Sequence, residues 1–348
     1  MRGGVHLTEA LHPVAGRSTL LALAIAACAL PWRATAVEVT LDDRHVQLAL
    51  EFLATGDEAV VERLAELPAS QHLLRHARAF EQDVPRESAL ALATSLVTPR
   101  DRKQERGRAA RGSLAFFDGT LATDARWRAE LDRSLPPGDL PRVSLFLTFG
   151  YDIGVATPGN ASLNAAHPRF QDHPSELRYH AIHECHHAVF MALHPPRPVS
   201  EWKAPANLLA QAEYGLQLEG MAVWAAWDLR EQEGALDGDA DYVALRDAAR
   251  IRALEARYLE VHRLLQGQAA AGAPASDAAR AALLSLYGPE RILYRFGAHA
   301  ARAIEKARGR AAVVELVRRG PRAFLEAYLA LPAGARSAGS VAPSAAAR

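Results

Sequence analysis

The segment that most restricts how this chain can fold is His183-Glu184-Cys185-His186-His187, an H-E-x-x-H pattern. In a helix, residues four apart project from the same face about one turn apart, so the imidazoles of His183 and His187 can bind one metal ion. Glu184 would stand at the edge of that face, where its carboxylate can deprotonate a water molecule at the metal without binding the ion. The motif therefore predicts a helix that carries the site of a zinc-dependent hydrolase, and it favours a peptidase.

The sequence around the motif predicts where this helix begins and ends. Ser175 is a good N-cap, and His194-Pro195-Pro196 marks the end. His180 falls on the same helix face as the motif, within a stripe of roughly 100°. We interpret His180 either as a residue that supports the metal ligands or as a polar residue on a partly exposed helix. Cys185 points away from the metal face, which indicates a small buried apolar residue and not a nucleophile.

The length and charge of the chain limit its class. Its 348 residues can bury one large core or two moderate ones. Forty basic and forty acidic residues balance, so no excess charge favours nucleic acid or an anionic membrane surface. A peptide or protein substrate is the partner that we expect, with no nucleic acid.

Residues 1–36 are predicted to be a signal peptide. Arg17 precedes an apolar run over residues 18–30, and Ala34-Thr35-Ala36 matches an A-x-A cleavage site, so the mature chain would begin at Val37. The apolar run is too short to span a membrane comfortably as a helix. The sequence thus predicts an exported protein, either periplasmic or secreted.

A second interpretation of the N-terminal segment is a lipoprotein signal. Ile25-Ala26-Ala27-Cys28 resembles a bacterial lipobox, which would make Cys28 a lipid anchor. Cleavage after Ala36 is the preferred alternative, because the lipobox would leave a very short apolar run. Only Cys185 would then remain in the mature chain, so no intrachain disulfide is expected.

Residues 37–136 are predicted to be an N-terminal helical region. Val46, Leu50 and Leu53 recur at the three- and four-residue spacing of a helix. The segment Leu135-Pro136-Pro137-Gly138 interrupts regular structure and is a plausible boundary. Residues 137–331 are then predicted to be the catalytic region.

The β-structure is predicted immediately after this boundary. Apolar residues alternate over 143–149, and a second short strand leads into the turn Pro158-Gly159-Asn160, from which Ala161 to Ala165 can return. Further helices are expected over about 206–233, about 242–265 and 277–331, with a loop over 266–275. Residues 332–348 are predicted to be a disordered tail because they are rich in Ala, Gly, Ser and Pro. The predicted fold is mainly α with a small β-hairpin sheet, an α+β class.

A catalytic zinc usually has a third protein ligand, and a downstream helix offers two candidates. Glu219, in Leu218-Glu219-Gly220-Met221-Ala222, is the better one, and Glu213 is the rival. Residues six apart on a helix point in directions about 120° apart, so only one of the two glutamates can point at the metal. The small residues Gly220 and Ala222 are expected to let this helix approach the motif helix closely.

The combination of H-E-x-x-H with a downstream E-G-x-A resembles the gluzincin clan of zinc metallopeptidases, and in particular bacterial proteins described as zinc-dependent peptidases. The resemblance implies a zincin-like architecture with one Zn²⁺ per chain, bound by His183, His187 and Glu219. The spacing from His187 to Glu219 is longer than in thermolysin-like members, so their substrate preference is not implied.

The resemblance also implies how the site would work. Glu184 would be the general base and would pass the proton to the leaving amine. An oxyanion donor would come from a late helix, and Tyr294 and His299 are the candidates. An acidic side chain usually orients each ligand histidine, and Asp152 and Asp228 are possible partners.

Two other functions fit parts of the sequence. A di-iron carboxylate protein would need two E-x-x-H motifs, and the predicted mature chain has one, at Glu184 and His187. A non-catalytic cell-envelope module with a structural or lost zinc site is the main alternative. The intact Glu184 argues against that module, since a structural site has no use for an unligated base.

Overall fold

The computed structural model of the protein describes residues 36–80, 82–98, 103–272 and 274–337. Within these ranges the chain is mostly helical and has one four-stranded sheet, which confirms the predicted fold class. Nearly all of the predicted signal peptide, Cys28 included, lies outside the described residues, as do residues 338–348 of the predicted tail. None of the helices in the described ranges has both the length and the apolar content needed to cross a bilayer.

The sheet joins a strand from the start of the described chain to three strands that precede the motif helix. These are β1 (Val39–Asp42), β2 (Val143–Thr148), β3 (Gly154–Thr157) and β4 (Asn160–Asn164), in the spatial order β1-β2-β4-β3. Strand β2 pairs in parallel with β1 and with β4, whereas β3 and β4 form the predicted antiparallel hairpin. Gly159 in the hairpin turn has a φ of 72°, a left-handed conformation that glycine adopts without strain. Strands β1 and β3 are the two edges of the sheet.

Strand β1 lies in the region that the sequence predicts to be helical. It pairs Val39 with Val143, a residue far along the chain, and it is only four residues long. A local pattern of that length does not reveal a parallel partner, because such pairing depends on the tertiary fold.

Helices cover most of the remaining described chain. The helices before β2 are α1 (Arg44–Thr55), α2 (Glu58–Glu66), α3 (Pro68–Ala79), α4 (Ala89–Val97), α5 (Lys103–Phe116) and α6 (Ala125–Ser134). The helices after β4 are α7 (Pro168–Asp172), α8 (Glu176–Leu193), α9 (Pro205–Ala225), α10 (Trp227–Gln232), α11 (Ala240–Leu245), α12 (Ala248–Ala271), α13 (Asp277–Tyr287), α14 (Ile292–Arg308), α15 (Arg310–Arg319), α16 (Pro321–Leu329) and α17 (Ala333–Ser337).

Several helix boundaries differ from those that the sequence predicts. The expected helix over about 206–233 is divided at Ala226 into α9 and α10. Helix α12 continues to Ala271, where Gly272 ends it with a φ of 67°, so most of the expected loop over 266–275 is helical. The short helix α17 lies in the predicted tail.

One hydrophobic core contains residues from both predicted regions. Leu131 of α6, Leu145 of β2 and Ile182 of α8 are fully buried members of it. The described residues from Ala36 onward belong to one compact unit. The functional division at residue 136 stays a prediction.

His72 ties helix α3 to the sheet. Its side chain is fully buried, with Nδ1 2.9 Å from Thr157 Oγ1 on β3 and Nε2 3.2 Å from Ser162 Oγ on β4. Burial lowers the pKa of His72 to about 3. The folded protein therefore holds this imidazole neutral through the range in which a histidine in the unfolded chain binds a proton.

We expect acid to weaken this link. As the pH falls from about 6.5 toward 3, the unfolded chain binds a proton at His72 that the folded chain excludes. The free energy of unfolding should decrease by at most about 1.4 kcal/mol per pH unit through this residue. Urea unfolding of wild type and His72→Gln between pH 7 and about 4.5 measures the slope. His72→Gln should have the smaller slope and the surface variant His173→Gln the wild-type slope; equal slopes for all three would contradict the assignment.

Helices α9 and α14 touch through their backbones at two glycines. A β-carbon added at Gly220 would lie 2.3 Å from Gly297 Cα, and one added at Gly297 would lie 2.3 Å from the carbonyl oxygen of Leu216. The small residue next to Glu219 therefore permits contact with α14. The sequence predicted that Gly220 lets α9 approach the motif helix, and this prediction was wrong, because Gly220 contacts α14. The E-G-x-A pattern does not reveal which helix packs on that face.

Gly220→Ala should lower the free energy of unfolding by about 1–3 kcal/mol or more, because the new methyl group must push the two helices apart. Gly112→Ala is the matched control. Gly112 lies within α5 with no atom within 4 Å of an added β-carbon, so alanine there should be neutral or stabilising by up to about 1 kcal/mol. Chemical denaturation of both variants tests this, and equal effects would contradict the close contact.

Candidate metal centre and active site

Helices α8 and α9 bring the three predicted metal ligands together. His183 and His187 project from one face of α8, and Glu219 projects toward them from α9. One ligand atom from each residue lies within 4.8 Å of the other two. Glu219 Oε2 is 3.2 Å from His187 Nε2 and 3.9 Å from His183 Nε2. The side chains therefore converge on a volume that one ion can occupy.

The chemistry of these groups fits zinc. Glu219 Oε2 is buried, 3.2 Å from His187 Nε2, and makes no hydrogen bond among the described residues. Burial, aided by neighbouring positive groups, lowers the pKa of His183 well below its usual value, which keeps the imidazole in its metal-binding form. Burial would also lower the pKa of His187, but the Glu219 carboxylate outweighs it and raises that pKa. Two imidazoles and one carboxylate form a common catalytic zinc set with a fourth position open.

Glu184 lies between the ligand pair and the edge of the sheet. Its side chain is 5% exposed, and burial raises the pKa of its carboxyl group to about 8. A β-carbon at Gly154, the first residue of β3, would lie 2.6 Å from Glu184 Oε1. The absence of a side chain at Gly154 therefore lets the carboxylate lie directly beside the edge strand.

The two candidate oxyanion donors occupy different sides of α14. The Tyr294 ring stacks on the ring of His183, with centroids 6.3 Å apart and planes 7° apart. His299 Nε2 donates a hydrogen bond to the Arg336 carbonyl at 2.8 Å, and His299 does not line the cavity that contains the ligands. Residues five apart on a helix point about 140° apart, so the structure brings Tyr294 to the ligands and does not bring His299 there.

The phenol of Tyr294 stays protonated over the physiological range. Burial and the negative charge of Glu219 raise the pKa of Tyr294 well above its usual value. A neutral phenol can donate a hydrogen bond to an oxygen that gains negative charge.

The rival ligand Glu213 faces another helix. Its Oε1 accepts a hydrogen bond of 2.9 Å from His262 Nε2 on α12. Glu213 is therefore hydrogen-bonded to His262, and Glu219 is the carboxylate that lies next to His183 and His187.

Neither acidic candidate for orienting the ligands does so among the described residues. Asp228 pairs with Arg133 and Arg310, away from the histidines. Asp152 lines the cavity, and its Oδ1 accepts from the backbone N–H of Ile153. His187 Nδ1 is buried without a hydrogen-bond partner in the described chain.

Two further residues of the motif helix, His180 and Cys185, have other surroundings. His180 Nδ1 donates to the Glu176 carbonyl at 3.0 Å, and His180 lines the cavity. Cys185 is buried, and burial raises the pKa of its thiol, which agrees with the interpretation of an inert packing residue.

A buried ion pair fixes the start of the motif helix. Arg230 of α10 is 2% exposed, and its two Nη nitrogens donate hydrogen bonds of 2.8 and 2.7 Å to the two carboxylate oxygens of Glu176. Its Cζ lies 4.1 Å from the centroid of the Tyr179 ring. This paired, stacked arginine holds the first turn of α8 against α10.

A cavity of about 960 Å³ contains the ligands, Glu184 and Tyr294. Two of the lining residues that the sequence analysis did not predict have side chains suited to chemistry at the site, His76 and Arg291. His76 of α3 lines it, with Nδ1 2.8 Å from the Tyr151 hydroxyl, and Arg291 lines it just before α14. The four-residue spacing of His72 and His76 on α3 was a signal for a functional histidine, whereas no local pattern marks Arg291.

The comparison with known proteins agrees with this chemistry. The sequence model of one protein family, described as "Putative zinc dependent peptidase (DUF5700)", matches residues 141–331, more than half of the chain. No curated protein and no solved structure matches the chain. The matched range includes the predicted ligands, Glu184 and Tyr294, and the chain belongs to this family.

Proposed function

We propose that the protein is a gluzincin-like metallopeptidase that binds one Zn²⁺ per chain through His183, His187 and Glu219. The observation that carries the proposal is the convergence of these three ligands beside Glu184 in one large cavity. The zinc would act as a Lewis acid that activates a water molecule and polarises the scissile carbonyl group.

Glu184 would move the protons of the reaction. Its carboxylate takes a proton from the attacking water and then delivers it to the nitrogen of the leaving amine. The buried position beside β3 supports this role, because a carboxyl group with a raised pKa holds the transferred proton until the amine accepts it.

Tyr294 would stabilise the oxyanion. Its ring stacks on His183, so its hydroxyl belongs to the same cavity as the ligands, and its neutral phenol can donate to the carbonyl oxygen as that atom gains charge.

Strand β3 would bind the substrate backbone. It is an edge strand, and Gly154, Val155 and Ala156 line the cavity next to Glu184. An extended peptide can add to such an edge through main-chain hydrogen bonds, which would place a peptide bond beside the carboxylate without selecting a side chain.

We also propose that the protein is exported, on the basis of its N-terminal sequence alone. The periplasm or the external medium would then be the place where it meets peptide substrates.

Glu184→Gln should separate zinc binding from hydrolysis. The variant should keep one zinc per chain and lose about 10²–10⁴-fold in kcat/KM on casein or a mixed-peptide substrate, because the amide cannot accept the proton. Glu213→Gln is the matched control, since Glu213 binds His262 outside the cavity, and it should keep both properties.

Elemental analysis and the digests decide among the functions. If wild type and Glu184→Gln are equally inert on every substrate, the non-catalytic envelope module is the better account. Two iron atoms per chain would instead support the di-iron protein.

Gly154→Ala should impair hydrolysis without removing zinc. The added methyl group would lie 2.6 Å from Glu184 Oε1, too close for contact, and would displace the carboxylate, which should lower kcat by about 10²-fold. Gly267→Ala, at an exposed position of α12 with no atom within 4 Å, should leave kcat unchanged. Equal rates for the two variants would contradict the placement of Glu184 beside β3.

A further inference from the structure

Arg291 has an unusual backbone conformation at the wall of the cavity. Its φ is 49° and its ψ is 48°, and among the described residues it is the one non-glycine residue with positive φ. This left-handed conformation is costly for a long side chain, whereas glycine or asparagine would adopt it readily. Such outliers persist where the surrounding contacts impose them, and they cluster at functional sites.

The contacts of Arg291 hold one side of its guanidinium group. Its Nε donates to both carboxylate oxygens of Asp241, at 3.0 and 2.9 Å. Its Cζ lies 3.6 Å from the centroid of the Tyr294 ring, so the guanidinium plane is supported by an aromatic face. The two Nη nitrogens have no hydrogen-bond partner in the part of the chain that the structure describes.

The local charge is not balanced by Asp241. The same carboxylate also accepts from Arg295 Nε at 2.8 Å, so two guanidinium groups share one negative charge. Arg295 is buried, and its Nη1 donates to the Glu290 carbonyl. Asp241 alone therefore does not neutralise Arg291, whose side chain is 42% exposed and is also attracted by the Glu219 carboxylate.

The other arginines of the cavity wall are already paired. Both Nη nitrogens of Arg230 donate hydrogen bonds to Glu176, and Nη2 of Arg280 donates one to Asp277. Arg291 differs because its Nη nitrogens have no hydrogen-bond partner in the described chain. It lines the cavity and stacks on Tyr294, whose ring in turn stacks on that of the predicted ligand His183.

We propose that the Nη nitrogens of Arg291 bind a substrate carboxylate next to the scissile bond. A planar guanidinium group offers two parallel N–H donors to the two oxygens of a carboxylate. The carboxylate would be either the C-terminus of a peptide or the side chain of Asp or Glu. This inference rests on the proposed peptidase function and assigns its substrate class, namely peptides with a carboxylate close to the cleaved bond.

Paired peptides test the subsite. We would use N-acetylated mixed-sequence hexapeptides made with a C-terminal carboxylate or amide, and with Glu or Gln at each internal position. Binding to zinc-loaded Glu184→Gln protein is measured by calorimetry, and hydrolysis by wild type is measured in parallel. We expect the carboxylate member of at least one pair to bind about tenfold more tightly or better. The pair that differs identifies the source of the carboxylate.

Variants at Arg291 test the assignment of the residue. Arg291→Asn suits the left-handed backbone and removes the charge, so it should fold, keep its zinc and lose the preference, mainly as a rise in Kd or KM. Arg291→Lys keeps the charge without the planar fork and should retain part of the preference. Arg322→Gln, which removes a surface arginine with 82% side-chain exposure, should keep it fully.

The outcomes separate this inference from the proposed function. Equal or unmeasurable binding of both members of every pair, or an unchanged preference in Arg291→Asn, overturns the subsite. Selective binding that depends on Arg291, without hydrolysis by wild type, retains the subsite and rejects the peptidase. Hydrolysis without any carboxylate preference retains the peptidase and rejects the subsite.

Discussion

The backbone contact between α9 and α14 sets the positions of the groups that surround the predicted metal. Glu219 immediately precedes Gly220 on α9, and Tyr294 lies three residues before Gly297 on α14. Because the two glycines allow the helices to touch, the predicted ligand Glu219 and the proposed oxyanion donor Tyr294 enter one cavity from neighbouring helices. Arg291 is carried to the same wall, since it is the residue from which α14 starts.

The charges around the cavity follow a consistent arrangement. Most buried charges are paired: Arg230 with Glu176, and Arg295 with Asp241. The carboxyl groups of Glu184 and Glu219 are exceptions, because both lie close to the predicted ligand histidines and neither forms an ion pair with an arginine in the described chain. Burying an ionised carboxylate without a counter-charge is unfavourable. A bound divalent cation would supply that counter-charge here, as the arginines do in the ion pairs elsewhere.

The N-terminal helices contribute directly to this arrangement. Strand β1 extends the sheet, and His72 contacts strands β3 and β4. His76 lines the cavity that contains the motif residues. The edge strand β3 is thus held in place from both parts of the chain. Its position supports the proposed function, because Gly154 allows the Glu184 carboxylate to lie next to the edge that would bind a peptide.

The sequence by itself determined the features that depend on local periodicity. The four-residue spacing of His183 and His187 set their common face, and the turn at Gly159 predicted the hairpin. Those two features follow from the helical and strand repeats, which act over a few residues. The preference for Glu219 over Glu213 came instead from the resemblance of its context to the E-G-x-A pattern. Only the tertiary structure decided that Tyr294 and not His299 reaches the ligands, that Arg291 lines the cavity and that Gly220 touches α14. These outcomes depend on which faces of distant helices pack together, and that choice is made by the burial of the whole core and not by any local pattern.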